Sequence, residues 1–393
     1  MKDFVFSIPT EIFFGKDVEK KAGSYLKSRG VKKVLIHYGG GSAERSGLLG
    51  VIRSSLKEEG ISFVELGGVK PNPVMSKVYE GRELCLKENV DFILAVGGGS
   101  VIDSSKCMAL AAANPDDDAW DYFIGKKTPK GALPIASVLT IAAAGSELGA
   151  GMVLTNENGF LKRGNRSPFT YPKAAFLNPA LMASLPDYHR GAGVTDVLVH
   201  TLERFFTPES GGEMTDAIAE ALMRTVIKFG PEFYKNAGNY EAASEIMWAG
   251  SLSHNNLTGL GAVNDFSTHG LGHELSGKYD AIHGATLAAM WGSWARYVAD
   301  TKPGRFARYA KNVWALGGAS DSELAEQAIR KTEDFYRQLG MPVSIKELMN
   351  RSLADEELNE LADKCAAARG GSLGSFRVLQ RNDILAIYKN ANG

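Results

Sequence analysis

The feature that most constrains the fold is a regular alternation of short apolar runs and amphipathic segments within the first hundred residues. Runs at 32–38, 61–67 and 91–96 have the length of strands, while 48–60 and 76–89 carry apolar residues at helical spacing. Such a βαβαβ pattern predicts a doubly wound, Rossmann-like parallel sheet, because parallel neighbours need crossover connections. Ligands of these sheets bind beyond the carboxyl ends of the strands, so function is expected in the loops after positions 38 and 96.

The second half of the chain has a different pattern. Beyond about residue 190 four long stretches have helical apolar spacing: 194–206, 214–229, 240–257 and 322–340. The length of 393 residues also exceeds the roughly 250–300 at which a single hydrophobic core stops growing. We therefore predict two domains, an α/β domain over 1–185 and an all-α domain over 186–393.

Composition narrows the class of protein. The 44 Lys and Arg residues balance 45 Asp and Glu, a formal net charge of -1, which argues against a nucleic-acid partner. Three widely separated cysteines, Cys85, Cys107 and Cys365, predict neither a disulfide framework nor a paired-cysteine metal site, and so favour a reducing cytoplasm. No apolar run reaches the roughly 18 residues of a membrane span, and the first residues lack a signal-peptide core. We expect neither secretion nor membrane insertion.

A glycine run follows the strand at 91–96 directly. Gly97, Gly98, Gly99 and Ser100 open an apolar helix, where bare glycines let a phosphate approach the positive end of the helix dipole. The run therefore predicts a cradle for the phosphates of a dinucleotide. The alternative is a simple strand-to-helix turn in which Ser100 or Asp103 caps the helix.

A second glycine run ends the strand at 32–38. In NAD-selective folds an acidic residue near this position binds the ribose 2′-hydroxyl, but Gly39 and Gly40 stand here instead. Ser42 offers a hydroxyl, and Arg45 is near enough to reach a 2′-phosphate. We therefore expect NADP(H) rather than NAD(H). The alternative is that Arg45 is a solvated surface residue.

The histidines carry the strongest chemical signal. Asp196 and His200 are four residues apart on a predicted helix, so both project from one face, and His269 and His273 repeat that spacing ten residues before His283. A carboxylate with two or three imidazoles suits Fe(II), Zn or a neighbouring divalent ion. The pattern predicts one first-row metal site.

Each member of this pattern also has an ordinary structural explanation. Asp196 is able to cap a helix over 196–206, and His200 taken alone is more often a hydrogen-bonded core residue. His37, His189 and His254 have no partner at useful spacing and are interpreted as structural or surface residues. The joint pattern, together with two glycine runs, favours the metal site.

These residues belong to motifs that resemble a known family. Over essentially its full length the chain resembles the iron-containing, or group III metal-dependent, alcohol dehydrogenases, and within them the NADPH-dependent aldehyde reductase and butanol dehydrogenase branch. The resemblance implies a dehydroquinate synthase-like architecture and a homodimer. The matching motifs are PTEIFFG (9–15), YGGGS (38–42), PNP (71–73), GGGSVIDSSK (97–106), GSE (145–147), GVTDVLVHTLE (193–203) and DFSTHGLGHELSGKYDAIHG (265–284).

The resemblance also implies roles for individual residues. It implies metal ligation by Asp196, His200, His269 and His283, with Fe(II) as the favoured ion and Zn as the other candidate. It places His273 beside the metal as a proton-relay residue. Spacing alone does not distinguish His273 from the ligands. The implied contacts to NADP(H) are Gly39, Gly40, Ser42, Asn72, Gly97, Gly98, Gly99, Ser100, Thr140, Val153 and Lys162.

The chain departs from the family pattern at two positions. Ala144 replaces a usual threonine before the Gly-Ser-Glu motif, and Phe266 replaces a usual tryptophan before the histidine cluster. Neither is an implied metal ligand.

The activity expected from the resemblance is hydride transfer between NADP(H) and a small primary alcohol or aldehyde, such as butanol and butanal. The alternatives are a metal enzyme resembling glycerol dehydrogenase or dehydroquinate synthase, a metal-dependent hydrolase whose glycine runs merely turn the chain, and a non-catalytic metal- or nucleotide-binding protein.

Overall fold

The computed structural model describes all 393 residues and divides them into two compact units. The first unit comprises Ser7–Ser184, and the second comprises Leu185–Gly393 together with Met1–Phe6. The first residues join the second unit through contacts such as the Lys2 N–H, which donates to the Gly261 carbonyl at 2.9 Å. The division predicted from sequence instead places these residues in the first domain.

The first unit is built on a six-stranded parallel sheet in the order β1-β8-β5-β4-β2-β3, which confirms the predicted doubly wound fold. A separate antiparallel hairpin pairs β6 with β7. The strands are β1 (Glu11–Phe14), β2 (Lys33–Tyr38), β3 (Ser62–Leu66), β4 (Phe92–Gly97), β5 (Ile135–Leu139), β6 (Gly151–Asn156), β7 (Leu161–Arg166) and β8 (Ala174–Leu177). The helices are α1 (Ala22–Ser28), α2 (Ser42–Arg45), α3 (Leu48–Glu58), α4 (Met75–Glu88) and α5 (Gly99–Ala113).

The sheet is covered on both faces, which explains its nearly continuous apolar strands. Successive side chains of a strand point to opposite faces. In β2, Val34 and Ile36 therefore pack into one core with Ile52 of α3. Leu35, between them, packs into a second core with Cys107 of α5.

The second unit is helical. Its helices are α6 (Asp187–Phe205), α7 (Glu213–Lys235), α8 (Tyr240–His254), α9 (Ser267–Tyr279), α10 (His283–Val298), α11 (Pro303–Trp314), α12 (Asp321–Gln338), α13 (Ile345–Met349), α14 (Asp355–Ala367) and α15 (Arg381–Ala391). The all-α prediction is confirmed apart from one antiparallel pair of two-residue strands, β9 (Ser372–Leu373) and β10 (Leu379–Gln380). Helix α6 begins at Asp187, well before Asp196. The alternative that Asp196 caps a helix is therefore wrong.

Two further observations concern the whole chain. Cys85, Cys107 and Cys365 are all buried as free thiols. None of the helices combines the length with the apolar character that crossing a bilayer requires.

Candidate metal centre and nucleotide loops

The second unit brings a carboxylate and three imidazoles to one point. Asp196 and His200 lie one turn apart on α6, His269 lies in α9, and His283 is the first residue of α10. The Oδ1 atom of Asp196 is 3.4 Å from Nε2 of His200, 3.6 Å from Nε2 of His269 and 3.9 Å from Nε2 of His283. The Nε2 atoms of His200 and His269 are 3.3 Å apart. All four residues implied as ligands therefore converge.

The chemistry of this cluster fits a divalent metal ion. Donor atoms bound to one ion at about 2 Å lie roughly 3 to 3.5 Å from one another, and those of Asp196, His200 and His269 all lie within 4.8 Å. The Oδ1 atom of Asp196 is buried yet accepts no hydrogen bond. An uncompensated buried carboxylate oxygen is costly, and a bound cation removes that cost. Oxygen and imidazole donors suit Fe(II) or Zn(II).

A glycine allows α10 to reach the cluster. Gly284 follows His283 directly, and a Cβ atom there would lie 2.0 Å from the carbonyl oxygen of Ala192 in α6. Only a residue without a side chain permits this approach of the two backbones. Since Ala192 lies one turn before Asp196, the contact places the first turn of α10 beside the candidate ligands of α6.

The start of α9 is held by a buried aspartate. Asp265 accepts the backbone N–H of Ser267 at 3.0 Å and, from a distant segment, that of Phe376 at 2.7 Å. The side chain is buried. The Ser267 N–H is one of the donors that the helix cannot satisfy itself, and the bond from Phe376 ties the first turn, which carries His269, to that distant segment.

The two central imidazoles have opposite electrostatic environments. Burial, together with electrostatic interactions with His269, His254 and Arg204, holds the pKa of His200 well below its ordinary value. Burial alone would also lower the pKa of His269, but the carboxylates of Glu203 and Asp196 outweigh it and raise the pKa to about 9. A metal ion that binds His269 therefore displaces a proton from it.

His273 lies beside the cluster rather than within it. It follows His269 by one turn of α9, and its ring centroid is 6.0 Å from that of His269 and 5.2 Å from that of His283. Its side chain is half-buried, whereas those of His200 and His269 are buried. The position is accessible and adjacent to the cluster.

In the first unit the sheet brings the glycine runs together. Tyr38 of β2 pairs with Val96 of β4, so the loops that begin at Gly39 and Gly97 leave the sheet side by side. The Thr140 N–H at the end of β5 donates to the Gly97 carbonyl at 3.1 Å. The residues implied in cofactor binding on these three strands therefore share one edge, the carboxyl edge where ligands of such sheets bind.

Val153 and Lys162, two of the remaining implied contacts, lie in the β6–β7 hairpin, and the partly buried carboxylate of Asp103 ties that hairpin to α5. Helix α5 has Gly98 as its N-cap and no side-chain cap, so neither Ser100 nor Asp103 has the capping role considered above. Asp103 instead accepts the Val153 N–H of β6 at 2.8 Å. In the same hairpin, Lys162 donates to Oδ1 of Asn72 at 2.9 Å.

Comparison with known proteins identifies the family. The family model of the iron-containing alcohol dehydrogenases matches residues 9–179, and the model of the C-terminal region of that family matches 191–392. The chain belongs to the iron-containing alcohol dehydrogenase family. It is thus an oxidoreductase of the alcohol dehydrogenase type, as its motifs predict, and family membership favours this class over the hydrolase and the non-catalytic alternatives.

Individual members of the family are similar over most or all of the chain. NADH-dependent butanol dehydrogenase A of Clostridium acetobutylicum is 38% identical over 393 residues, with 100% of both chains covered. The NADPH-dependent aldehyde reductase YqhD of Escherichia coli is 36% identical over 349 residues, which cover 88% of this chain and 89% of that protein. The crystal structure of NADH-dependent butanol dehydrogenase A from Thermotoga maritima has 37% identity and a TM-score of 0.95, and covers 100% of this chain and 99% of its own.

Both departures from the alcohol dehydrogenase pattern lie next to candidate functional residues. The Cβ of Ala144 is 3.4 Å from the position that a Cβ on Gly99 would occupy, so the missing threonine hydroxyl belongs beside the glycine loop. Phe266 adopts a left-handed backbone with φ of 57°, and its ring centroid is 5.5 Å from that of His269. Phe266 thus packs against the candidate ligands.

Sequence reasoning overlooked three residues that adjoin the candidate ligands. Glu203 is fully buried, accepts the backbone N–H of His269 at 3.0 Å and lies against its Nδ1. Arg204 and His254 lie against His200. Glu203 was detectable, because positions 196, 200 and 203 fall on one helix face. His254 was not, since it reaches the cluster from the end of another helix.

Proposed function

We propose that this alcohol dehydrogenase interconverts small primary alcohols and aldehydes, such as butanol and butanal, with NADP(H). The observation that carries the proposal is the convergence of Asp196, His200, His269 and His283, whose oxygen and imidazole donors suit Fe(II) or Zn(II). In the direction of reduction, hydride passes from NADPH to the carbonyl carbon and a proton to the oxygen, so that aldehyde, NADPH and H⁺ become alcohol and NADP⁺.

The residues have separate tasks in this reaction. Asp196, His200, His269 and His283 would hold the divalent ion, which supplies Lewis-acid stabilisation of negative charge on the substrate oxygen. His273 supplies the proton for the alcohol product in reduction and receives it in oxidation. Its half-buried position next to His283 supports this role, because a proton relay needs access both to the substrate and to solvent.

The cofactor preference is proposed from the charges around the first glycine run. Glu44 and Glu65, the acids near this loop, both form ion pairs with Arg53, and neither has a free carboxylate for a ribose hydroxyl. Arg45 makes no ion pair, and its guanidinium folds back over Gly41 beside the loop. A 2′-phosphate suits this balance of charge. Relatives named for NADH and for NADPH are about equally similar, so their names do not decide the preference.

The experiment that tests the proposal follows NADPH absorbance after addition of butanal. Protein loaded anaerobically with Fe(II) is compared with a chelator-stripped sample of the same preparation and with the same sample reloaded with Zn(II). We expect oxidation of NADPH that depends on the metal and exceeds the rate with NADH. Absence of oxidation in all samples, despite bound metal, would overturn the substrate class, and an equal rate with NADH would overturn the cofactor preference.

We also propose a cytoplasmic homodimer with a dinucleotide-binding domain over 1–185 and a metal-binding domain over 186–393. The three free, buried thiols support a reducing compartment. The dimer is supported by the family resemblance. Sedimentation velocity of the purified protein tests the dimer, and a monomer at all concentrations would contradict it.

A further inference from the structure

A buried arginine lies behind the candidate ligand His200. Arg204 follows His200 by one turn of α6 and is 5% exposed. Its Nη1 atom donates to the carbonyl oxygen of His200 at 2.7 Å, and its Nη2 atom donates to Nδ1 of His254 at 3.0 Å. The same Nδ1 atom of His254 is 3.2 Å from Nδ1 of His200. Arg204 and His254 thus form one connected group with the ligand.

The chemistry of these three side chains determines where their protons lie. A guanidinium is always charged and only donates hydrogen bonds. Because Arg204 donates to Nδ1 of His254, that nitrogen carries no proton, and His254 is the neutral tautomer protonated on Nε2. Nδ1 of His200 lies 3.2 Å from this acceptor. Nη1 of Arg204 is farther from Nδ1, at 3.4 Å, and its short hydrogen bond goes to the His200 carbonyl at 2.7 Å, so the nearer acceptor places the proton of His200 on Nδ1. The Nε2 lone pair of His200 is left pointing at Asp196 and His269, which is the form that binds a metal.

An aromatic ring holds the guanidinium in place. The Cζ atom of Arg204 lies 4.9 Å from the ring centroid of Phe266, within the range of a cation–π contact. Phe266 reaches this position through its left-handed backbone, and its ring also faces the ring of His200 at 6.2 Å. The residue that replaces the usual tryptophan of the family therefore packs on the arginine.

We propose that Arg204 and His254 are positioning residues that fix the tautomer and ring orientation of His200 for metal binding. The inference rests on the metal site of the proposed function. It pairs with the contact behind His269, where Glu203 lies against Nδ1. The two imidazoles are thus oriented by different partners. A carboxylate orients the ring of His269. A neutral histidine, which accepts a hydrogen bond from Arg204, orients the ring of His200. Partners of this kind typically change metal affinity by about 10- to 100-fold.

The test measures the affinity of metal-free protein for Zn(II) alone, by competition with a chromophoric chelator. His254→Leu removes the acceptor, whereas His254→Asn keeps an oxygen at the position of Nδ1. Ser253→Ala is the matched control on the same helix, because the Ser253 hydroxyl donates only to the Gly250 carbonyl. Arg204→Met is the second variant, and circular dichroism melting of each metal-free protein shows that it is folded.

We expect His254→Leu and Arg204→Met to weaken Zn(II) binding by about tenfold or more, with His254→Asn and Ser253→Ala close to the wild type. The visible d–d spectrum of the Co(II)-loaded protein should change in His254→Leu and Arg204→Met but not in His254→Asn or Ser253→Ala. Wild-type affinity in His254→Leu and Arg204→Met would overturn the inference, as would equal losses in His254→Leu and His254→Asn. His200→Ala separates the two proposals, because undiminished Zn(II) binding in that variant would overturn the metal site itself.

Discussion

The side chain of Glu203 lies against Nδ1 of His269 and also accepts the backbone N–H of that residue at 3.0 Å. Glu203 is fully buried and belongs to the same helix as Asp196 and His200. One helix therefore supplies two candidate ligands and orients a third. A ligating imidazole becomes a better donor when its other nitrogen gives a proton to a carboxylate.

We predict that Glu203→Gln weakens the binding of Zn(II) by about tenfold or more, because the neutral amide keeps the shape but loses the charge that supports His269. Chelator competition on the metal-free protein measures the effect. The matched control is Glu220→Gln, which alters another buried glutamate that is paired with Arg308. Equal affinities in Glu203→Gln and the wild type would show that the contact is not needed for metal binding.

The role of His273 is separable from that of the ligands. We predict that His273→Ala retains one metal ion per protein and lowers turnover by roughly 10²- to 10⁴-fold, the usual contribution of a general acid. Elemental analysis and steady-state kinetics measure the two properties. The comparison is His269→Ala, which should lose both metal and turnover. Loss of metal from His273→Ala would instead place His273 among the ligands.

The first glycine run offers a test of cofactor preference. A Cβ atom on Gly39 would meet its nearest neighbour, the Val69 carbonyl oxygen, at 3.5 Å, so Gly39→Asp is sterically tolerated. We predict that the ratio of kcat/KM for NADPH to that for NADH falls by about tenfold or more, roughly 1.4 kcal/mol, because the carboxylate repels a 2′-phosphate and binds a ribose hydroxyl. Gly50→Asp, in α3, adds the same charge elsewhere and should leave the ratio unchanged. An unaltered ratio in Gly39→Asp would contradict our interpretation of this loop.

We predict that His37 makes the stability of the first unit depend on pH. Burial lowers the pKa of His37 to about 4, and its ring hydrogen-bonds the Leu66 carbonyl at 2.8 Å and the Ser104 hydroxyl at 3.0 Å. In the unfolded chain this histidine takes up a proton near pH 6.5, whereas in the folded protein it does so only near pH 4. The contribution of His37 to the free energy of unfolding is therefore fully present above the unfolded pKa and is lost as the pH falls towards 4.

The loss of unfolding free energy expected from His37 is roughly 3 kcal/mol, at about 1.4 kcal/mol for each pH unit between the two pKa values. Urea denaturation between about pH 7 and pH 4 measures it. His37→Asn keeps a donor for the Leu66 carbonyl but does not titrate, so its stability should decline less over this interval. Parallel declines in both proteins would exclude His37 as the cause.

Much of this protein could be predicted from local sequence. The spacing of apolar residues predicts the strand-helix alternation of the first unit, since each side chain's face follows from the period of its own element. The four-residue spacing of Asp196 and His200 likewise predicts one helix face, and α6 provides it. The glycine runs mark strand ends for the same local reason, because a strand that ends in glycines leaves room at the edge of a sheet.

The sequence by itself thus determined the elements, the family and the residue types of the candidate metal site. Only the tertiary structure decided which side chains support them: His254 meets Arg204 and His200 from another helix, and Asp103, which resembles a helix cap in the sequence, instead binds the Val153 N–H. The physical reason is that period and spacing are set by neighbours along the chain, whereas contacts between separate elements depend on how those elements pack. Gly284 is one such position, because the absence of a side chain there allows α10 to pack against the backbone of α6.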